Sequence, residues 1–254
     1  MTTRLDGAHA VVTGGGTGIG LAVAATLASH GLEVTLIGRN GDRLRDAARR
    51  LGPRAAAVVG DVTDEAAVTR AFAEAAARGP VTVLVNNAGI AESAPLGKTT
   101  IAAWRRCFDV NVTGAFLCLQ QVLPGMRAAG VGRIVNIASI AGLQGFAYVA
   151  PYVASKHALV GLTRAAAVEL AGTGITVNAV CPGYTDTDIV AAAVANITAK
   201  TGRDADAARA ELARSNPQAQ LVTPDQVANA VLWLVSPGAE SINGQAISVS
   251  GGEI

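Results

Sequence analysis

Seven short runs rich in Val and Ile recur along this chain, at 8–13, 33–38, 55–60, 81–86, 132–137, 175–181 and 246–249. Between them lie longer, mostly alanine-rich stretches that read as helices, at 18–30, 42–51, 64–78, 99–129, 152–171 and 224–235. Several of the runs are apolar at consecutive positions, so both of their faces must be covered, which suits a parallel sheet with helices on each side. The β-then-α alternation predicts an α/β fold with a doubly wound parallel sheet. With 50% hydrophobic and 15% charged residues there is material for a large core and no case for disorder. No linker, composition break or internal repeat divides the chain, so residues 1–254 are read as one domain. The stretch 186–216 interrupts the alternation. It follows a strand, is alanine-rich with scattered charge, and is read as a substrate lid over the crevice at the strands' carboxyl ends.

A net charge of +1 gives no field that would draw nucleic acid or anionic lipid. Apolar runs such as 81–85 fall far short of the roughly 20 residues that span a bilayer. The first nine residues carry Arg4, Asp6 and His9 and no apolar signal core, so the expectation is a soluble, cytoplasmic protein without a membrane partner. Cys107, Cys118 and Cys181 are widely spaced with no CxxC pair, and read as reduced, buried thiols rather than a disulfide framework or a metal site.

After the first strand comes Gly14-Gly15-Gly16-Thr17-Gly18-Ile19-Gly20, and then a helix. The strict G-x-G-x-x-G fingerprint is absent, and the spacing is T-G-x-x-x-G-x-G. The physics is shared: a tight turn needs residues without Cβ, and backbone N–H groups at a helix start can face a pyrophosphate. A tight turn with no ligand is the alternative. Past the second strand the chain offers Gly38-Arg39-Asn40, with no carboxylate for a ribose diol. Arg39 can instead pair with a 2′-phosphate, which favours NADP over NAD, though a solvated surface arginine would look the same.

Tyr152 and Lys156 stand four apart, on one face of a predicted helix. An ammonium beside a phenol favours the phenolate and is expected to lower the tyrosine's pKa. Such a tyrosine can exchange a proton with a substrate oxygen while a nicotinamide carries hydride. Ser139, at the end of an apolar strand, can hold that oxygen. Taken singly, Y-x-x-x-K recurs on helices by chance, and a serine after a strand is commonly a turn residue.

Taken together, Thr13 to Gly20, Asn86-Asn87-Ala88-Gly89, Asn111, Ser139, Tyr152-x-x-x-Lys156 and Pro182-Gly183 occur in order and with characteristic gaps. The chain resembles the short-chain dehydrogenase/reductase family over essentially its whole length, and the resemblance implies a single Rossmann-type domain. It implies that Tyr152 is the acid/base, that Ser139 orients the carbonyl, and that Lys156 holds the nicotinamide ribose and depresses the tyrosine's pKa. It further implies that Asn111 anchors a water in a proton relay. For the cofactor it implies Gly14, Thr17, Gly18, Ile19 and Gly20 at the pyrophosphate, Asp61 and Val62 at the adenine, Asn87 and Gly89 on the adenosine side, and Thr185 and Thr187 near the carboxamide. Thr17 departs from the pattern, because many NADP-dependent members carry a basic residue there; this keeps NAD open. Residues 142–145, 150–157 and 174–183 also resemble aromatic-polyketide ketoreductases and related 3-oxoacyl-thioester reductases, His157 included.

The expected activity is therefore NADP(H)-dependent interconversion of a ketone and a secondary alcohol, with a 3-oxoacyl thioester or polyketide-like β-keto compound as substrate. That substrate is a small molecule, or a thioester carried on CoA or an acyl carrier protein. An NAD-dependent secondary-alcohol or 3-hydroxyacyl-CoA dehydrogenase is the second reading, and a catalytically idle dinucleotide sensor the third. The helical segments 99–129 and 152–171 carry more apolar faces than one sheet can bury, which predicts subunit contacts, and the resemblance implies that they assemble a homotetramer. In the lid, Ile189, Val190, Val194, Ile197 and Leu212 are expected to face the substrate. Lys200, Arg203, Asp204, Asp206 and Arg209 are expected in water, with Arg203, Arg209 and Arg214 as candidate contacts for a carrier phosphate.

Overall fold

A computed structural model describes residues 7–254, apart from the side chains of Lys200 and Thr201. Arg4 and Asp6 lie outside the described residues. Seven strands form one parallel sheet in the order β3-β2-β1-β4-β5-β6-β7. They are β1 (His9–Thr13), β2 (Glu33–Gly38), β3 (Ala55–Val59), β4 (Val81–Asn86), β5 (Gly132–Ile137), β6 (Ile175–Pro182) and β7 (Ala246–Val249). The doubly wound, Rossmann-like α/β architecture expected from the apolar runs is the one observed.

Strand side chains alternate between two cores. Ala10, Val12, Leu36, Val85 and Val135 face α1 (Gly18–Ser29), α2 (Gly41–Leu51) and α9 (Pro224–Val235). Val11, Ile37, Leu84, Ile134 and Val177 face α3 (Glu65–Ala76), α5 (Gly114–Ala129) and α6 (Ala150–Leu170). The sheet is thus buried on both sides, and the carboxyl ends of its strands are left to form a crevice. The order reverses between β1 and β4, which is where a doubly wound sheet opens a binding site.

The structure departs from the sequence reading in one helical segment and adds detail in another. The expected single helix at 99–129 is instead α4 (Ile101–Phe108), a π turn at Asp109–Thr113, and α5. The widened turn coincides with Asn111, whose side chain is turned inward to bond the backbone of Ile90. The stretch 186–216, which interrupts the alternation, holds α7 (Asp188–Thr201) and α8 (Ala205–Arg214). Gly202, at φ +68°, ends α7, and Asp204 caps α8 through the N–H groups of Asp206 and Ala207. Among the described residues, no helix is long and apolar enough to cross a membrane, and no cluster of His, Cys, Asp or Glu could hold a metal ion.

Candidate active site

The crevice deepens into a cavity of about 600 Å³ above β4, β5 and β6. Ile19, Asn87, Gly89, Ser139, Tyr152, Lys156, Thr185 and Thr187 line it, so eight of the expected site residues meet in one place. Gly14, Thr17, Gly18 and Gly20 form the turn at its edge, and Arg39, Asp61 and Val62 follow β2 and β3 further along the same end of the sheet. Asn111 is buried beneath the floor rather than lining it.

Two tight joints shape this floor. Asn87 donates from its side chain to the carbonyls of Thr13 and Gly14 (3.0 and 3.2 Å), while Thr13 Oγ1 accepts from the N–H groups of Asn87 and Ala88. A Cβ at Gly20 would overlap the Asn87 amide and the Gly14 carbonyl, so the turn admits no side chain there. At the second joint, a Cβ on Gly89 would stand 3.3 Å from Asn111 Oδ1 and 3.6 Å from Lys156 Nζ. The missing side chain lets the lysine and the asparagine flank the same backbone.

Ser139 leaves β5 as the cap of a short 3-10 turn, its Oγ accepting from the Ala141 N–H at 3.1 Å, and it hydrogen-bonds the Tyr152 hydroxyl. Tyr152 and Lys156 lie on one face of α6, with Nζ 5.6 Å from the centre of the phenol ring and donating to the Ile137 carbonyl at 2.7 Å. Asn111 Nδ2 donates to the Ile90 carbonyl and to Ser155 Oγ, and lies 3.3 Å from Cys107 Sγ; Asn111 Oδ1 accepts from the Ile90 N–H. Ser155 and Cys107 are partners that the sequence reading missed. Both lay within view, one before Lys156 and the other a helical turn before Asn111, but only the fold brings them together.

The electrostatics correct one expectation. Tyr152 is not shifted toward the phenolate: burial pushes its pKa up to about 12, outweighing the Ser139 hydrogen bond that acts in the opposite direction. Burial also pushes Lys156 down to about 8. Desolvation of each group exceeds the attraction expected between ammonium and phenolate.

The remaining walls come from elements that carry no motif. Ser93, Ala94 and Pro95 follow β4, Phe146 to Val149 precede α6, and Tyr184 follows β6. Ile189, Val190, Ala193, Asn196 and Ile197 of α7 and Leu212 of α8 form the roof; Val194 is not part of it. Asn196 Nδ2 donates to Ser93 Oγ across the mouth at 2.7 Å. Arg203, Asp204, Asp206 and Arg209 are exposed, as expected. Arg209 is paired with Asp186 and Arg214 with Glu211.

A dinucleotide fits the chemistry of the groove. The first N–H groups of α1 receive no side-chain cap from Thr17 and meet no acid in the first turn, which leaves them for an anion. Arg39 is exposed and in no ion pair among the described residues.

The family model for short chain dehydrogenases matches residues 8–198. The cis-4-hydroxycyclohexanecarboxylate dehydrogenase of Sinomonas cyclohexanicum is 43% identical over 96% of this chain and 95% of its own. A putative ketoacyl reductase of Streptomyces coelicolor is 39% identical over 99% of this chain and 98% of its own. Among solved structures, an actinorhodin polyketide ketoreductase variant with NADPH superposes with a TM-score of 0.94 at 39% identity, covering 100% of this chain and 99% of that one.

Proposed function

The chain belongs to the short-chain dehydrogenase family, as an oxidoreductase acting between secondary alcohols and ketones, and from that premise we propose that it is an NADPH-dependent reductase of β-keto substrates. The observation that carries this reading is the meeting of Ser139, Tyr152 and Lys156 in one apolar cavity bordered by the glycine turn. NADPH, when bound, supplies the hydride. Ser139 holds the ketone oxygen by a hydrogen bond, and Tyr152 gives that oxygen its proton. Lys156, with its pKa near 8, is poised to resupply the tyrosine near neutral pH, and Asn111 fixes the backbone beside it.

A tyrosine whose pKa is held near 12 is a phenol at neutral pH. In that state it carries the proton that reduction of a ketone consumes. Gly14, Thr17, Gly18, Ile19 and Gly20 would hold the pyrophosphate, Asp61 and Val62 the adenine, Asn87 and Gly89 the adenosine side, and Thr185 and Thr187 the carboxamide. Arg39 would pair with the 2′-phosphate. The NADPH-bound ketoreductase of similar fold supports the cofactor choice, and the polyketide and ketoacyl reductases support the substrate class. The decisive experiment is a panel of ketones and secondary alcohols with NADPH and NADH, followed by nicotinamide absorbance. Faster turnover of alcohols with NAD than of ketones with NADPH would overturn the reading.

We also propose that 186–216 is a lid and that the protein is a homotetramer. Trp104 (37% exposed, stacked on Phe108), Phe116 (42%) and Val168 (81%) lie on the outer faces of α4, α5 and α6. Apolar surface of that kind marks a subunit contact. Light scattering at micromolar concentration is expected to give four times the chain mass, and a monomer would remove the claim.

A further inference from the structure

The cavity wall carries a half-buried tyrosine that the proposed chemistry does not use. Tyr184 stands directly after Pro182-Gly183, and its backbone is fixed from both sides. Gly183 N–H donates to the Val249 carbonyl at 3.0 Å, and Tyr184's own carbonyl accepts from Val222 N–H at 2.9 Å. Its ring meets Phe146 edge-on, with centres 6.3 Å apart and planes at 83°. Such contacts hold a ring in one orientation. Both residues line the cavity.

The Tyr148 hydroxyl, also in the lining, belongs to a residue 67% exposed, whereas the more enclosed polar groups of the lining are engaged within the protein. Asn87 is tied to Thr13 and Gly14, Thr185 Oγ1 donates to the Gly183 carbonyl, Thr187 Oγ1 donates to the Thr185 carbonyl, and Lys156 donates to Ile137. Ser93 and Asn196 satisfy each other. Ser139 and Tyr152 are assigned to the reacting oxygen. The Tyr184 hydroxyl makes no hydrogen bond among the described residues, yet the side chain is half-buried and close enough for its charge state to influence Tyr152. A ligand that covers this hydroxyl and satisfies it is selected over one that covers it and leaves it unpaired.

We propose that Tyr184 is a specificity-determining residue whose hydroxyl donates to a second oxygen of the substrate, so that the cavity selects β-dicarbonyl compounds over plain ketones of equal size. This rests on the reductase reading, since the first oxygen is the one held by Ser139 and Tyr152. Selection arises from geometry: one oxygen sits at the reacting pair, and the neighbouring carbonyl sits under the phenol fixed against Phe146.

The test compares the parent protein with Tyr184→Phe, which keeps the ring and its edge contact. Each is assayed with NADPH on a 3-oxo ester and on the ketone of equal length that lacks the ester carbonyl. Losing one neutral hydrogen bond is expected to raise KM for the 3-oxo ester about three- to tenfold. The kcat for that substrate and the kcat/KM for the plain ketone should stay within about twofold. Equal losses on both substrates, or no loss on either, would overturn the assignment. Calorimetry with a β-diketone on the NADP-bound protein gives a readout without turnover, and the same three- to tenfold weakening in Tyr184→Phe is expected. A parent that reduces neither ketone would sink the reductase reading, and the calorimetric comparison would still decide Tyr184: weakening supports it, equal affinity refutes it.

Discussion

The floor and the roof of the cavity are held by different kinds of bond. The floor is the carboxyl end of the sheet with α6 laid across it. Ser139 and Lys156 are 9% and 4% exposed there, Asn87 joins the ends of β1 and β4 through Thr13, and a buried hydrogen bond ties Asn111 to Ser155 of α6. The roof, α7 and α8, buries few side chains completely, Val190 and Ala208 among them. It is fastened by exposed contacts: Arg209 with Asp186, Arg43 with Asp188 at 3.9 Å, and Asn196 with Ser93. Exposed ion pairs contribute about 0–1 kcal/mol each, whereas the floor opens only by breaking the core. On the proposed reading, proton transfer lies where the core holds still, beneath a roof whose movement costs little.

Four measurements bear on this contrast. The largest effect is expected on the floor. Tyr152→Phe removes a single hydroxyl, so the protein should fold and bind cofactor while turnover falls about 10²- to 10⁴-fold. Activity within about threefold of the parent would mean that the floor is not where the chemistry lies. Next comes the outer edge of the cofactor groove. Arg39→Ala should weaken NADPH about 10- to 100-fold and leave NADH nearly unchanged, as a lost charge-assisted contact predicts. Equal effects on both nucleotides, read by fluorescence titration, would place Arg39 elsewhere.

Hydrogen exchange compares the two regions directly. Amides of α7 and α8 should exchange at least about tenfold faster than those of β4 and β5, and slow when cofactor and substrate are both present. Equal protection of roof and sheet without ligand would make the roof a rigid wall. The smallest effect concerns the opposite, amino end of the sheet. His9 is buried in β1, with Nδ1 bonded to the Gly79 carbonyl and Nε2 to Thr35 Oγ1. Burial holds its pKa below 6.5, the Gly79 hydrogen bond opposing. The unfolded chain therefore takes up a proton first as pH falls, so the stability from neutral His9 is complete above pH 6.5 and is lost below it. Thermal midpoints measured from pH 8 to 5 should fall, and fall less in His9→Gln. An equal fall in both would trace acid lability to another group.

Much of the floor was legible in the sequence because its signals are local. A strand covered on both faces must be apolar at consecutive positions, and all seven such runs became strands. Tyr152 and Lys156 announce their shared face by spacing, and Ser139 its place by ending a strand. The roof was harder to read. Gly202 and Asp204 do signal a helix end and a helix start, but the residues around them show no clean apolar stripe, because α7 and α8 cover a cavity rather than a core. The π turn escaped altogether, since it coincides with contacts between Asn111 and Ile90, twenty-one residues apart. The direction of the tyrosine's shift escaped for the same reason: spacing reveals a neighbouring charge, but burial is decided by the whole fold.

The strand order has a consequence for how the chain can be made. β2 lies beside β1 and β3 beside β2; β4 then takes the free flank of β1, and β5, β6 and β7 each add to the strand before them. As the polypeptide leaves the ribosome, every new strand finds its neighbour already present, and the sheet lengthens from its two margins without being reopened. The bridge between Thr185 and Val222 is an exception. The start of the roof must wait for a further 37 residues to be synthesised before its base is fastened. During that interval a nascent chain carries a nearly complete sheet with a loose cover, and co-translational proteolysis would cut it first between α7 and α8.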